Sequence, residues 1–246
     1  MKQTNHIYDV IIVGGGLAGL LQTILLAQNG VNALCIDKQT TSELKTSPLG
    51  QRTTAISYGS HQLIKAAHLW DDVLPFACPI KEIQVFDDSS PVLLDFDMNE
   101  SKEAGQANGF GWIVENHHLR DTLLTSLKTL SKATFKEGIS VTNIKHTENK
   151  IQIQTDQNET FEAALLIGAD GRQSFIRQKN NIKTEEYSYH QRAIVSIVTH
   201  EKSHNNIAIE HFKSSGPFAI LPMHDDDKGN HRSSIVWTED NKNKKS

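Results

Sequence analysis

Cysteine is scarce in this sequence, with two thiols, Cys35 and Cys78, in 246 residues. Cys35 lies inside an apolar run and Cys78 beside Pro79, so the pair lacks the even framework that staples small secreted domains. This excludes a disulfide scaffold and fits a reducing compartment, which leads to the expectation of a cytoplasmic protein. Long apolar runs are missing as well. No stretch reaches the about 18 uninterrupted apolar residues of a membrane-spanning helix, and Met1–Asp9 carries Lys2, His6 and Asp9 where a signal peptide would have an apolar core. A surplus of positive charge is also lacking: 25 Lys plus Arg face 29 Asp plus Glu, a net charge of −4. That balance gives no field to hold a phosphate backbone, so no nucleic-acid partner is expected. No internal repeat is present.

What is there begins with a change of period. Tyr8–Val13 is a short β-branched run that ends abruptly in Gly14-Gly15-Gly16, as a buried strand entering a tight turn would. Leu20, Leu21, Ile24, Leu25 and Ala27 then recur at helical spacing over Leu17–Asn29, with Gly30 where a C-terminal glycine belongs. Val31–Ile36 reads as a second strand. The three segments form a βαβ unit, whose crossover is right-handed. From Pro75 to Phe96 the apolar residues alternate around Asp87-Asp88-Ser89-Ser90-Pro91, predicting a hairpin. Glu100–Gly109 reads as a loop, and Asn116–Leu130 as a helix with Asn116 as its N-cap. Ile139–Ile167 is strand-rich and ends in a second glycine turn, Gly168–Gly171. Four further strand candidates, Ala193–Thr199, Ile207–Phe212, Phe218–Leu221 and Ser233–Trp237, predict an antiparallel sheet. The polar tail 239–246 is expected to be disordered.

The pattern Gly14-x-Gly16-x-x-Gly19 carries chemistry because of where it stands. Gly14 permits the tight turn, Gly16 lets backbone approach a pyrophosphate, and Gly19 lets helix pack on strand. The helix N-terminus offers free N–H groups to an anion. Asp37, at the end of the second strand, is placed to accept hydrogen bonds from ribose hydroxyls. The bland alternative is a glycine turn in an ordinary α/β protein, but the strand, turn, helix, strand and acid occur here in the required order.

The run Asp9-Val-Ile-Ile-Val-Gly-Gly-Gly-Leu-Ala-Gly-Leu20 is followed by Gln51-Arg-Thr-Thr-Ala-Ile-Ser57, by Gly111-Trp-Ile-Val-Glu-Asn116 with Arg120, and by Gly168-Ala-Asp-Gly-Arg-Gln-Ser174 with Arg177. In this order the runs resemble the single-component flavoprotein aromatic hydroxylases, of p-hydroxybenzoate hydroxylase-like fold, and within them the ubiquinone-biosynthesis branch. The resemblance implies an α/β (α+β mixed) chain. A Rossmann-like FAD-binding domain (1–74 and 107–186) would carry an inserted antiparallel-sheet substrate domain (75–106 and 187–238). The family's third FAD motif, a Gly-Asp pair, lies downstream of the segment resembling Phe218–Trp237, so the expectation is a fold truncated at its C-terminus.

Carried over residue by residue, the resemblance implies that Gly14, Gly16, Ala18, Gly19, Asp37 and Lys38 hold the adenosine diphosphate part of FAD. Arg52 would lie near the flavin ring, where a guanidinium stabilises negative charge. Gly50 stands where the family commonly has an acid. Arg120 would contact the pyrophosphate, its alternative being a solvated arginine on an amphipathic helix. Asp170 and Gly171 would touch the pyrophosphate and take part in NADPH binding, Asp170's alternative being a helix N-cap. Arg177 is expected to support that loop. The implied reaction takes electrons from NADPH through FAD and passes one oxygen atom of O2 to a phenol ring, so no side-chain nucleophile and no metal are expected. A polyprenylated phenol as substrate would imply docking at the inner-membrane surface or in a biosynthetic complex. Two rivals stand beside this reading: another flavoenzyme on the same fold, and a truncated, inactive paralogue that binds a dinucleotide or a protein partner. His200-Glu-Lys-Ser-His204 matches the letters of a zinc-protease signature, but it follows a strand and has no apolar helix to present both histidines.

Overall fold

In the computed structural model the described residues are 6–46, 52–102 and 108–240. They fall into two compact units. One comprises residues 6–46, 64–69 and 117–185, the other 52–63, 70–102, 108–116 and 186–240. Residues 52–63, 70–74 and 108–116, which the sequence reading groups with the first domain, lie with the second. The reason is strand pairing: β3 (Thr53–Ser57) and β4 (Cys78–Ile80) both pair antiparallel with β7 (Gly111–Glu115), making a three-stranded sheet.

The first unit is built on β1 (His6–Val13), whose Val10–Val13 are all buried, as a central strand covered on both faces requires. β2 (Ala33–Asp37) and β11 (Thr160–Gly168) flank it in parallel. β8 (Ala133–Glu137) extends the sheet beyond β2, while β10 (Ile151–Thr155) and β9 (Val141–His146) continue it antiparallel beyond β11. Helix α1 (Leu17–Gln28) buries Gly19, Leu20, Thr23, Ile24 and Ala27, one face at helical spacing. It ends in a Schellman arrangement. Gly30, at φ +84°, donates to Ala27 O (3.0 Å) and Val31 to Leu26 O (3.1 Å), closing carbonyls that the helix leaves open. Phe161, fully buried, lies at the centre of a core with Ile11, Leu34, Ile36, Ile153 and Ile176.

In the second unit β12 (Gln191–His200), β15 (His231–Asp240), β14 (Gly216–Met223) and β13 (Ile207–Lys213) pair antiparallel, as the four-strand reading expects. The predicted hairpin is β5 (Glu82–Asp87) with β6 (Ser90–Asp97). Its attachment corrects the purely antiparallel expectation, because β5 lies parallel to β13, Ile83 opposite Ala208. One face of this six-stranded sheet sends Ile83, Ile197 and Leu221 onto a core of Ile80, Ile113, Ala208 and Met223. The other carries Ile194, Trp237 and Phe218 side by side on three neighbouring strands. Glu239 and Asp240 belong to β15, and the rest of the expected tail lies outside the described residues. The loop reading of 100–109 is described only at its ends. Among the described residues no helix is long and apolar enough to cross a membrane.

Two outcomes follow from the cores. Phe161→Ala removes a fully buried ring and is expected to lower unfolding free energy by about 3–5 kcal/mol in a urea titration. Both thiols are buried, and burial pushes Cys35 up to about 12 and Cys78 up to about 11. The native chain should therefore leave both unalkylated at about pH 8, whereas the unfolded chain should react at both.

Candidate functional site

The carboxyl ends of β2, β1 and β11 meet the first turn of α1, and the backbone there is interlocked. Gly14 N donates to Ile36 O (2.7 Å) and Ala169 N to Val13 O (2.7 Å), tying three strand ends together. Gly14 has φ +113°, and a Cβ on it would lie 2.2 Å from Ala169 O. A Cβ on Gly19 would lie 1.9 Å from Gly14 O, so Gly19 is what allows the helix to start this close to the strand. Gly16 differs from both. It is exposed, and a Cβ there would meet nothing within 4 Å, so the space in front of it is open. Gly16 is also the N-cap of α1, with no side-chain cap and no acid in the first turn. The helix thus presents uncapped N–H groups and the positive end of its dipole to that space.

This space is a cavity of about 400 Å³, lined by Gly14, Gly16, Asp37, Lys38, Asp170 and Gly171 among others. Six of the ten residues singled out in the sequence thus border one hollow. Asp37 accepts from Gly15 N (2.5 Å) through Oδ2 and from Gln39 N (2.8 Å) through Oδ1, which fixes its carboxylate at the rim. Ala18 is exposed in the first turn of α1 and Lys38 is exposed beside Asp37. The apolar wall of Ile139, Val141 and Phe175 was missed by sequence reading. These residues carry no motif, and only the pairing of distant strands brings them to the glycine turn.

Arg120, on helix α5 (Asn116–Leu127), acts on the glycine turn from behind. Its Nη2 donates to Gly15 O at 2.8 Å and its Nη1 to the same oxygen at 3.4 Å. Burial lowers its pKa from the usual arginine value, and Asp37 counters this. Asp170 has both carboxylate oxygens engaged: Oδ1 accepts from the Ser174 hydroxyl and Oδ2 from Ile176 N (3.1 Å), with Ser174 capping the short helix α6 (Phe175–Lys179). Gly171, at φ +82°, turns the chain between them. Arg177 donates to Arg172 O (2.8 Å), holding the same loop. Arg52 belongs to the second unit. It is exposed at the start of β3, and its carbonyl accepts from Asn116 N (2.8 Å).

The histidines of the zinc-like signature are held by strand and turn. His200 ends β12, with Nδ1 on Lys202 O (2.7 Å) and Nε2 on Ser233 Oγ (2.9 Å), while His204 Nε2 donates to Met223 O (2.8 Å). Among the described residues no group of His, Cys, Asp or Glu has metal-binding geometry.

The glycine turn makes a discriminating prediction. Gly14→Ala, strained at φ +113° and blocked by backbone, should cost about 2 kcal/mol or more of stability. Gly16→Ala, which puts a disfavoured residue at the N-cap without a steric block, should cost no more than about 1 kcal/mol. Arg120→Met, which takes a charged donor from Gly15 O, should cost about 1.5–3 kcal/mol. Thermal unfolding of the three variants ranks them.

Comparison with known proteins bears on what the hollow holds. The chain is 37% identical over 235 residues to ubiquinone hydroxylase UbiL of Rhodospirillum rubrum, covering 96% of this chain and 52% of that protein. It is 28% identical over 252 residues to the human mitochondrial ubiquinone biosynthesis monooxygenase COQ6, covering 96% of this chain and 52% of that one. The chain therefore spans about half the length of these relatives. Among solved structures, PqsL of Pseudomonas aeruginosa in complex with 2-aminobenzoylacetate superposes with a TM-score of 0.79 at 18% identity, over 96% of this chain and 62% of that one. The p-nitrophenol 4-monooxygenase PnpA of Pseudomonas putida gives 0.78 at 17% identity, over 96% and 59%. These likenesses concern the fold. The model of the FAD binding domain matches residues 7–246, and the chain belongs to that family.

Proposed function

We propose that this chain is the cofactor-holding part of an FAD-dependent aromatic hydroxylase of ubiquinone biosynthesis, with NAD(P)H as electron donor, O2 as co-substrate and a polyprenylated phenol as substrate. The observation that carries this reading is the hollow in front of Gly16, an N-cap residue with open space before it at the start of a helix that has no side-chain cap. FAD fits the residues present. Gly16 and the first turn of α1, including Ala18 and Gly19, would hold the pyrophosphate, and Asp37 with Lys38 would meet the ribose. Ile139, Val141 and Phe175 offer the apolar wall that an adenine ring takes. FAD, when bound, supplies the two-electron and oxygen chemistry.

The chain's own residues orient and shield. Arg120 keeps the glycine turn in register through Gly15 O, and the loop at Asp170 and Gly171 closes the hollow on the β11 side. Arg52, with its exposed guanidinium, is proposed to face the flavin ring, and Asp170 to bear on NADPH use. A polyprenyl substrate further implies work at the inner-membrane surface.

The test is FAD affinity measured by quenching of flavin fluorescence. Gly16→Ala should weaken FAD binding by about a hundredfold, roughly 2.7 kcal/mol, in a chain that remains folded and unfolds only slightly below the unmodified temperature. Unchanged affinity in that variant would remove FAD from this hollow. NADPH oxidation that depends on added phenol then tests the hydroxylase part of the reading.

A further inference from the structure

At one end of the second unit's six-stranded sheet three imidazole rings meet. The centroids of His200, His204 and His231 lie 6.1, 6.1 and 6.3 Å apart. Their nitrogens are used differently. His200 places Nδ1 on Lys202 O and Nε2 on the buried Ser233 hydroxyl. His204 donates from Nε2 to Met223 O and accepts Asn206 N (3.0 Å) on Nδ1. Both rings are fully occupied by the protein. His231 instead donates from Nδ1 to Asp225 Oδ1 (2.9 Å), so its proton sits on Nδ1 and Nε2, at the far tip of the ring, carries the lone pair. A carboxylate bonded to Nδ1–H fixes the tautomer and the ring orientation, the arrangement that general-base histidines use.

His231, Ser233, Ile235 and Trp237 alternate along β15 and therefore share one face, opposite the face whose Ile197 and Leu221 pack on the core. Across the strands Trp237 lies beside Ile194 and Phe218, and Ile235 beside Ile220. Ile194 is 57% and Trp237 40% exposed. An apolar, partly aromatic strip thus lies on the same face as the partly exposed His231 imidazole.

We propose that His231, oriented by Asp225, is the proton acceptor for the ring hydroxyl of a phenolic ligand seated on this face. The proposal rests on the aromatic-hydroxylase reading for its purpose, since a phenolate ring is richer in electrons than a phenol. The ring O–H bond breaks, its proton forms an N–H bond at His231 Nε2, and the electron pair stays on oxygen, with nothing oxidised or reduced. The other groups around His231 do not substitute for it. His200 and His204 are spent as described, and Arg232 turns to His224 O and Glu115. Asp226 accepts the N–H groups of Lys228 and Asn230. His211, paired with Asp88, donates from Nε2 (2.7 Å) and keeps only Nδ1, beside its own backbone, as a base.

The test uses 4-nitrophenol, whose phenolate absorbs in the visible, with the 246-residue chain and no flavin. Binding is read by equilibrium dialysis and ionisation by absorbance over about pH 5–8, the range in which histidine changes charge. The bound probe should ionise about one pH unit below the free probe, a tenfold shift in its equilibrium. His231→Gln and His231→Asn should abolish that shift while still binding probe, Asp225→Asn should reduce it, and His211→Gln should leave it unchanged. Failure to bind the probe, binding without the shift, or a shift that survives both His231 variants overturns the proposal. FAD affinity is measured separately on the same protein. Loss of the flavin reading would leave the probe shift intact, and loss of this proposal would leave FAD binding intact.

Discussion

The contact on which the first unit depends is between two pieces of backbone, Gly14 and the Ala169 carbonyl. With Gly14 N on Ile36 O and Ala169 N on Val13 O, the ends of β2, β1 and β11 are held at the spacing of hydrogen-bonded strands. A side chain at position 14 would push Ala169 away and open the β1–β11 seam from its end. Gly19 repeats the constraint one turn later, because its missing Cβ is what lets α1 begin against the Gly14 carbonyl. Two glycines are therefore required by the protein itself, and a third, Gly16, has room that the fold does not need.

This division shows how the start of α1 can be held rigidly while the space directly before Gly16 stays open. The N–H groups of a helix end attract an anion only while they point at it, and each fixed donor adds strength because it need not reorganise on binding. Here the aim is set by groups outside the helix: Arg120 on Gly15 O, Asp37 on Gly15 N, and the β11 loop locked by Asp170 and Ser174. Arg120 and Asp37 grip opposite atoms of the same residue. The Asp37 charge also favours the ionised guanidinium and so works against the lowering that burial imposes on Arg120.

Much of this was legible in the sequence, because local chemistry dictates it. The β1–α1–β2 unit follows from a change of period with glycines at the switch, and the α1 terminus from Gly30. What stayed hidden depends on partners far along the chain. β8, Ala133–Glu137, has a single large apolar residue, Phe135, and reads as neither strand nor helix until parallel pairing with β2 supplies its hydrogen bonds. Ile139 and Val141 could be seen as strand residues, but not as the wall of a hollow whose glycines lie more than a hundred residues earlier. Arg120 was visible at its helix position. Its partner is a carbonyl, which every residue has, so no sequence pattern could single it out. The parallel junction of β5 with β13 is hidden for the same reason, since hairpin chemistry sets register within a hairpin and says nothing about the strand beside it.

The two units also differ in the material from which a site can be made. In the first, strand ends and a helix end converge, so backbone groups face the hollow and glycine is the informative residue. In the second, a broad sheet satisfies its backbone internally, and only side chains alternating above and below it can act on a ligand. Chemistry there has to be read from how each side chain spends its donors and acceptors. His200 and His204 matched a motif by their letters, yet both are consumed in fastening a turn, while His231 matched nothing and spends its Nδ1 on Asp225. For a histidine on a sheet, the partner of the first nitrogen decides what the second can do, and that partner is set by fold and not by spacing.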